Sequence, residues 1–315
     1  MTEPELEIEL SCGPVRYVDR GQGSPTLVFL HGLTMDRRVW TQLIAILSSD
    51  FRCIAPTLPE GAHVIPTRKD FVLSPASLVG LIGEFIDQLR LHAPVLVEND
   101  SGRAQEFAAR NPTRLGGLVA ASCETAGNFP PGLAGKMAVA ASRVPGAVWL
   151  QAQLLKLRTL RHSSIAFGRM SSKGVDDELL QSWLRPLQTS SAIRKDFVDY
   201  LSRVEGNEMD NALEGLRSLA CPALIVWGAE DRFMPEATGR ALAAAIPKSR
   251  FELIPGSGTL IPLDQPARLA ASIARFARET VTHAEEPSLN RENLQDTGPS
   301  SGGAGSRRAR GEPSP

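Results

Sequence analysis

One short stretch decides the fold of this 315-residue chain: residues 95–103, which read VLVENDSGR. The apolar residues at its start predict a strand, and residues 104–110 predict a helix that begins almost at once. Such a sharp strand-to-helix turn lifts one side chain above an α/β sheet. The residue at the apex is Asp100, whose carboxylate can attack a carbon atom directly. The stretch therefore predicts an α/β fold that presents an aspartate for chemistry.

The composition is that of an ordinary globular protein. Hydrophobic residues make up 42% of the chain and charged residues 22%, so a sizeable core can form. The net charge is −1, without the basic balance of a nucleic-acid-binding protein. No apolar run approaches the ~20 residues that span a bilayer, and residues 1–6 are too acidic for a signal peptide. We expect a cytoplasmic protein with a small-molecule substrate and neither nucleic-acid nor membrane partners; its oligomeric state stays open.

The four cysteines lie far apart and form no CxxC pair, which argues against both a metal site and a disulfide. Their simplest role is that of small buried hydrophobic residues in a reducing compartment. We therefore expect an enzyme without metal and without cofactor.

Strand-like runs alternate with helix-like runs along most of the chain, which predicts a mostly parallel sheet flanked by helices. Several runs are continuously apolar, as expected for strands that are covered on both faces. One helix is expected to begin at Pro75 after a Ser74 cap, and another covers residues 265–279. The predicted strands are residues 7–11, 15–18, 26–30, 52–55, 94–97, 115–121, 223–227 and 250–254.

The stretch from residue 128 to residue 216 interrupts this alternation. It falls between two predicted strands and is rich in helical segments, so it predicts an inserted helical cap over the site. After residue 284 the composition changes to Ser, Gly, Pro, Arg and Glu, which predicts a disordered tail. The predicted organisation is a first core part, the cap, a second core part and the tail: 1–127, 128–216, 217–284 and 285–315. The predicted cap helices are 138–142, 148–160, 175–187 and 191–204.

Four motifs in order make the chain resemble the α/β-hydrolases, in the capped branch that includes haloalkane dehalogenases and epoxide hydrolases. They are residues 31–33 (HGL), Asp100 at the turn, residues 227–231 (WGAED) and residues 254–259 (IPGSGT). The resemblance implies the α/β-hydrolase fold over most of the chain. In this branch the aspartate at the turn attacks an sp³ carbon or an epoxide and forms an ester.

The last motif departs from the family at one position, because Thr259 stands where the family has its catalytic histidine. A threonine hydroxyl is no base at neutral pH, so an ester formed on Asp100 would persist. The resemblance otherwise implies Asp231 as the acid that normally orients the histidine. It also implies the backbone N–H groups of Leu33 and Ser101 as the oxyanion hole.

Two other residues are candidates for moving the proton. His63 follows the strand that ends near Ala55, and loops at the carboxyl ends of strands line the ligand crevice of α/β sheets. We expect His63 as the substitute proton carrier, although a histidine bonded only to its loop backbone also fits. Glu124 likewise follows a strand, where this branch sometimes carries an alternative triad acid; a solvated residue is the other interpretation. His31 is a candidate for substrate binding or, more simply, for holding its own loop.

The cap offers aromatic side chains for an apolar pocket, chiefly Trp149, Trp183 and Tyr200, although helical aromatic residues are more often core residues. Dehalogenases of this branch usually have a tryptophan after the nucleophile, where this chain has Ser101. Epoxide hydrolases use two cap tyrosines, and Tyr200 is the one tyrosine in this cap. Neither subfamily pattern is therefore complete.

The turn itself departs from the family at Glu98 and Arg103, where small residues are usual. The two side chains stand on either side of the turn. We expect them to pair, because an unpaired charge at this place would be costly; two side chains that both point to solvent are the alternative.

The leading interpretation is a cofactor-free hydrolase of the epoxide or ester type that acts on a small apolar molecule through Asp100. A lyase, isomerase or cyclase would suit the same site if Asp100 acts only as a base. A ligand-binding protein that has lost catalysis is the rival class, and Thr259 favours it. A covalent adduct on Asp100 would separate an enzyme from a binding protein.

Overall fold

The computed structural model describes residues 5–285, the last five of them as backbone only. The chain divides into two compact units, Met1–Val281 and Thr282–Pro315. The sheet and the site belong to the first unit. Nearly all of the predicted tail, residues 286–315, lies outside the described residues.

An eight-stranded sheet forms the centre of the first unit, with the strand order β1-β2-β4-β3-β5-β6-β7-β8. The pairs β1–β2 and β2–β4 are antiparallel, and every other neighbouring pair is parallel. All eight predicted strands are present, and the predicted mostly parallel α/β sheet is confirmed. Their bounds are β1 Leu6–Leu10, β2 Gly13–Arg20, β3 Leu27–Leu30, β4 Cys53–Pro56, β5 Val95–Asp100, β6 Gly117–Cys123, β7 Ala223–Gly228 and β8 Ser249–Ile254.

Twelve helices occur within the described residues and flank this sheet. The second of them begins at Pro75 after Ser74, whose hydroxyl accepts the Ser77 N–H as the sequence predicted. Six of these helices lie outside residues 128–216: α1 Thr41–Leu47, α2 Pro75–Gln88, α3 Arg103–Arg110, α10 Glu236–Ala245, α11 Ile261–Asp264 and α12 Pro266–Glu285.

Residues 128–216, called the insertion below, carry the other six helices between β6 and β7. These are α4 Gly132–Ser142, α5 Ala147–Leu154, α6 Arg158–Arg161, α7 Asp177–Thr189, α8 Ser191–Ser202 and α9 Glu208–Leu216. The single helix predicted over 148–160 is divided in two. The Arg161 guanidinium donates to the Lys156 carbonyl at 2.6 Å, which satisfies a carbonyl at the end of α5 and stabilises the break.

The core lies on both faces of the sheet because its central strands are buried throughout. In β3, Leu27 and Phe29 pack on one side with Trp40, while Val28 and Leu30 pack on the other. Each such buried side chain contributes about 1.5–3 kcal/mol. All four cysteines are buried and unpaired. Within residues 5–285, no helix is both long and apolar enough to cross a membrane.

Candidate active site

Asp100 is the last residue of β5 and has a φ of +67°, a conformation that non-glycine residues seldom adopt. The register of β5 against β6 shifts between Asn99 and Asp100, and α3 begins at Arg103. Such backbone strain persists only where the surroundings enforce it, and it is concentrated at functional sites. The strand, the turn and the helix therefore lie where the sequence predicted them, with a carboxyl group at the apex.

Two glycines give this turn its room. A Cβ atom on Gly32 would lie 2.2 Å from Asp100 Oδ2, so the backbone of the residue 31–33 loop approaches the carboxylate as closely as a chain can. A Cβ atom on Gly102 would lie 2.2 Å from the Met209 sulfur. The Gly32 position therefore requires glycine, whereas Met209 could shift to admit a Cβ atom at Gly102; Asp100 is clamped with only 7% of its surface exposed.

Asn99 joins the turn to the loop that carries Thr259. Its side-chain amide donates to the Ala121 carbonyl and to the Thr259 carbonyl, each at 2.7 Å. Three segments that are distant in sequence are thereby held around Asp100. The relative positions of these three segments therefore depend on the buried side-chain amide of Asn99.

Burial raises the pKa of Asp100 well above its ordinary value, and the nearby carboxyl groups of Glu124 and Asp231 raise it further. The charged carboxylate is therefore destabilised in the free protein. A reaction that converts this carboxylate into a neutral ester relieves both the desolvation and the repulsion. The environment favours ester formation once the proton has left.

A cavity of about 380 Å³ extends from Asp100 into the insertion. Leu33, Ser101 and Tyr200 line it, as predicted for the oxyanion hole and the substrate pocket, together with Phe167 and Phe197. Most of its wall is apolar. Among the described residues that line it, the charged side chains are Glu60, Asp100 and Glu124, and none is a lysine, an arginine or a histidine.

Asp231 and Thr259 are in direct contact. The Thr259 hydroxyl donates to Asp231 Oδ1 at 2.8 Å, and the same oxygen accepts the backbone N–H groups of Phe233 and Met234 at 2.9 and 2.8 Å. Burial raises the pKa of Asp231, and these hydrogen bonds oppose that rise. Thr259 is thus a hydrogen-bond donor to Asp231, and its hydroxyl is no base at neutral pH.

His63 is not among the residues that line the Asp100 cavity. Its Nδ1 accepts the Gly61 N–H at 3.2 Å, and its Nε2 lies 3.2 Å from the Asp196 carboxylate on α8. It lines a separate cavity instead, together with Thr67 and Arg38. Both ring nitrogens are occupied by structural partners, and His63 lines a different cavity from Asp100.

Glu124 does line the cavity. Arg103 Nη2 donates to its Oε2 at 3.2 Å, and its pKa is raised to about 6, chiefly by burial and against the attraction of Arg103. Its backbone N–H also donates to the Asp100 carbonyl at 3.3 Å. The structure therefore brings this predicted acid to the site but holds it in an ion pair.

The predicted pairing of Glu98 with Arg103 is wrong. Glu98 accepts the Ala104 N–H at 2.7 Å and the Gln105 amide at 2.8 Å, so it caps the start of α3 from within the sheet. Arg103 pairs with Glu106 and with Glu124. A carboxylate below a helix N-terminus finds unpaired N–H donors without needing a cation.

Three other predicted binding residues lie outside the cavity lining. His31 is fully buried: its Nε2 accepts the Leu58 N–H at 2.9 Å and its Nδ1 lies 2.9 Å from the Gly32 carbonyl, so it holds its own loop. Trp183 donates to Asp36 at 3.1 Å in the core, and Trp149 is half exposed. The spacing of apolar residues in these helices could not show which face the cavity takes.

Sequence reasoning missed Glu60. Its side chain is buried and lines the same cavity as Asp100. Burial raises its pKa to about 8; Arg103 opposes that rise, and Glu124, Asp100 and Glu98 add to it. Its position in the loop at the carboxyl end of β4 was the available signal.

The chain is similar to known proteins over most of its length. The model of the alpha/beta hydrolase family matches residues 27–272. A 2-hydroxy-6-oxononadienedioate/2-hydroxy-6-oxononatrienedioate hydrolase of Pseudomonas putida is 26% identical over 81% of this chain and 87% of its own. Haloalkane dehalogenase 2 of Mycobacterium bovis is 26% identical over 84% of this chain and 91% of its own.

Solved structures share the fold. A haloalkane dehalogenase from Bradyrhizobium elkani superposes with a TM-score of 0.73 at 17% identity, over 89% of this chain and 99% of its own. A thermophilic esterase from Thermogutta terrifontis gives a TM-score of 0.67 at 22% identity, over 88% of this chain and 99% of its own. These likenesses extend through the sheet and most of the remaining chain.

Proposed function

Because the chain belongs to the alpha/beta hydrolase family, we propose that it is a hydrolase whose nucleophile is the Asp100 carboxylate and whose substrate is a small, largely apolar molecule. One observation carries the proposal: a desolvated carboxyl group stands at the apex of a strained strand-to-helix turn and lines an apolar cavity of about 380 Å³. A carboxylate in that position attacks an electrophilic carbon and becomes an ester.

The attack neutralises a buried negative charge, which the surroundings of Asp100 disfavour. Leu33 and Ser101 line the cavity beside it. Their backbone N–H groups would stabilise the oxyanion that forms when water attacks the ester carbon of Asp100. The ester, rather than the substrate carbon, is thus the point at which water enters.

The charge of the cavity selects the substrate class. Several relatives are named for hydrolysis of a dienedioate, a molecule with two carboxylates. This cavity is lined by three carboxyl groups and, among its described residues, by no cationic side chain. We propose an uncharged substrate for this chain, because no cationic side chain on the described wall of this largely apolar cavity would compensate the desolvation of a dianion.

The test is alkylation of Asp100. Purified protein is incubated with a 1-haloalkane, an alkyl epoxide or an activated ester, and intact mass and peptide mapping locate any adduct. An adduct on Asp100 that is absent from Asp100→Asn supports the proposal. Turnover in H₂¹⁸O should place ¹⁸O in the Asp100 carboxylate, because water attacks the ester carbon.

Two other outcomes would favour the alternative functions. Tight binding of such compounds without adduct or turnover would indicate a ligand-binding protein. Turnover that needs Asp100 but forms no adduct and incorporates no ¹⁸O would indicate a lyase, isomerase or cyclase in which Asp100 is only a base. Either result would overturn the hydrolase proposal.

A further inference from the structure

Glu60 is a buried carboxyl group whose side chain has an unsatisfied oxygen. The residue is 1% exposed, and its Oε2 has no hydrogen-bond partner within the described part of the chain. Its backbone is fixed, since its carbonyl accepts the Thr34 N–H and its N–H donates to the Leu58 carbonyl, both at 2.8 Å. A polar atom held dry and unpaired in a rigid loop is costly and calls for a functional explanation.

Glu60, in the loop after β4, and Asp100, at the end of β5, both lie close to the loop of residues 31–33. Its Oε2 is 3.7 Å from His31 Nδ1, and that nitrogen lies 2.9 Å from the carbonyl of Gly32. Gly32 is the residue against which the Asp100 carboxylate packs. Glu60 and Asp100 therefore both lie against the His31–Gly32 dipeptide and line the same cavity.

Among the described residues, no cationic side chain forms an ion pair with Glu60 apart from the long contact to His31. The buried guanidinium of Arg103 lowers the pKa of Glu60 but forms its ion pairs with Glu106 and Glu124. His31 is fully buried, and burial lowers its pKa, so it stays neutral. A carboxyl group in these surroundings holds its proton at neutral pH, which is what a proton donor requires.

We propose that Glu60 is the acid and then the base of the reaction, and that the substrate is an apolar epoxide. This inference rests on the proposed function of Asp100. The Asp100 oxygen bonds to an epoxide carbon, the C–O bond of the ring breaks, and the freed oxygen takes the Glu60 proton. The products of this step are a hydroxyalkyl ester and a Glu60 carboxylate.

Water then attacks the Asp100 ester carbon and gives a proton to the Glu60 carboxylate. The tetrahedral intermediate expels the alkoxide, which takes the remaining proton of the new Asp100 carboxyl group and leaves as a diol. Asp100 is again a carboxylate and Glu60 again carries its proton. One carboxyl group thus performs both proton transfers, as in retaining glycosidases, and the missing histidine is not needed.

An epoxide fits this cycle better than a halide. A halide leaves as a stable anion and takes no proton, so Glu60 would stay protonated and could not accept a proton from water. The ester from a haloalkane should therefore persist, whereas the ester from an epoxide should be hydrolysed. The state of Glu60 after the first step decides the fate of the ester.

Two probes of equal chain length test the proposal: 1,2-epoxyhexane, whose leaving oxygen needs a proton, and 1-bromohexane, whose bromide does not. Glu60→Gln keeps the shape of the side chain but cannot give up a proton. We expect alkylation of Asp100 by the epoxide to slow by about 10²–10⁴-fold in Glu60→Gln. Alkylation by 1-bromohexane should change by about threefold at most. An unchanged epoxide rate, or an equal loss with both probes, would overturn the role of Glu60.

Glu98→Gln is the matched control. Glu98 is also a buried carboxyl group with a pKa raised to about 8, but it does not line the cavity. Its substitution should preserve the ratio of the two alkylation rates. If neither probe alkylates the wild-type protein, the proposed function itself fails, and this inference fails with it.

The wild-type pH profile gives a second test that needs no variant. Since Glu60 must be protonated to act as an acid, alkylation by the epoxide should be lost as the pH rises through about 8. Alkylation by 1-bromohexane should show no such falling limb, and both reactions should rise as Asp100 loses its proton. Identical profiles for the two probes would contradict the proposal. The groups that act on Glu60 are Arg103, Glu124, Asp100, Glu98, Tyr200 and His31.

Discussion

Thr259 is a hydrogen-bond donor to Asp231 and cannot act as a base at neutral pH. It is fully buried, and its hydroxyl is one of three donors to Asp231 Oδ1. A buried carboxylate oxygen that lost such a donor would be left partly unsatisfied, at a cost of about 1–3 kcal/mol. The threonine therefore stabilises the turn that carries Asp231.

Thr259→His should introduce an imidazole base at this position. The imidazole would stand beside Asp231, which orients it, and the added volume should cost about 1–3 kcal/mol of stability. The ester that 1-bromohexane leaves on Asp100 should then be hydrolysed at least about 10²-fold faster than in the wild type. The measurement is the decay of the adduct by intact mass.

Thr259→Val is the control for that experiment, because it removes the hydroxyl without adding a base. Its ester should decay as slowly as that of the wild type. A folded Thr259→His protein whose ester also decays at the wild-type rate would show that the missing histidine is not what keeps the ester.

At the scale of elements, hydrogen bonds hold the loop after β4 against the insertion. Asp196 on α8 accepts the Thr67 N–H at 2.9 Å and the Thr67 hydroxyl at 2.7 Å, and it faces His63 at 3.2 Å. Burial by itself raises the pKa of Asp196, but these hydrogen bonds outweigh it, and the pKa lies below its ordinary value. His63 thus has a structural role in fixing α8 to the loop that carries Glu60.

Asp196→Asn should lower the free energy of unfolding by about 2 kcal/mol at pH 7, because a buried charge-assisted network is weakened. Since the folded-state pKa is depressed, the carboxylate contributes its stability above about pH 3.9. That contribution is lost as the pH falls through the folded-state pKa. Urea denaturation across this range should show the difference between wild type and variant shrinking toward acid pH. A difference that is constant with pH would contradict the account.

The same loop shows why the site was only partly predictable. The sequence places Glu60 and His63 together after β4, and histidine is the more usual proton carrier near neutral pH. Which of the two enters the cavity depends on the turn at Gly61, whose φ is +107°, and on Asp196, which is distant in sequence. Neither determinant can be read from local spacing.

At the scale of the whole molecule, the central strands were predictable because they are buried on both faces and read as apolar runs. Three positions could be predicted because each lies at the carboxyl end of a strand at the same edge of that sheet, where the topology brings the strand ends together. They are Asp100, Asp231 and Thr259. The pocket wall was not predictable, because α4 to α8 are buried on one face only and their spacing does not say which face meets a cavity. Trp149 and Trp183 were predicted to line it and do not.

The charge of the cavity gives a prediction about substrate choice. An uncharged alkyl epoxide should react with Asp100 at least tenfold faster than an epoxide of the same length that ends in a carboxylate, a difference of about 1.4 kcal/mol. The physical reason is that a carboxylate loses its hydration in this largely apolar cavity, whose described wall has no cationic side chain to compensate the loss. Competition between the two probes, followed by peptide mapping, measures the ratio. Equal reactivity would show that the cavity does not select by charge.

The central claim is that the Asp100 carboxylate forms a covalent bond to the substrate. Rapid quenching of the protein with 1-bromohexane, followed by peptide mapping, tests it most directly. The account predicts one hexyl group on the peptide that contains Asp100 and none on Asp100→Asn. Full turnover of an epoxide or ester by Asp100→Asn, or turnover by the wild type with no adduct at any quench time, would contradict it.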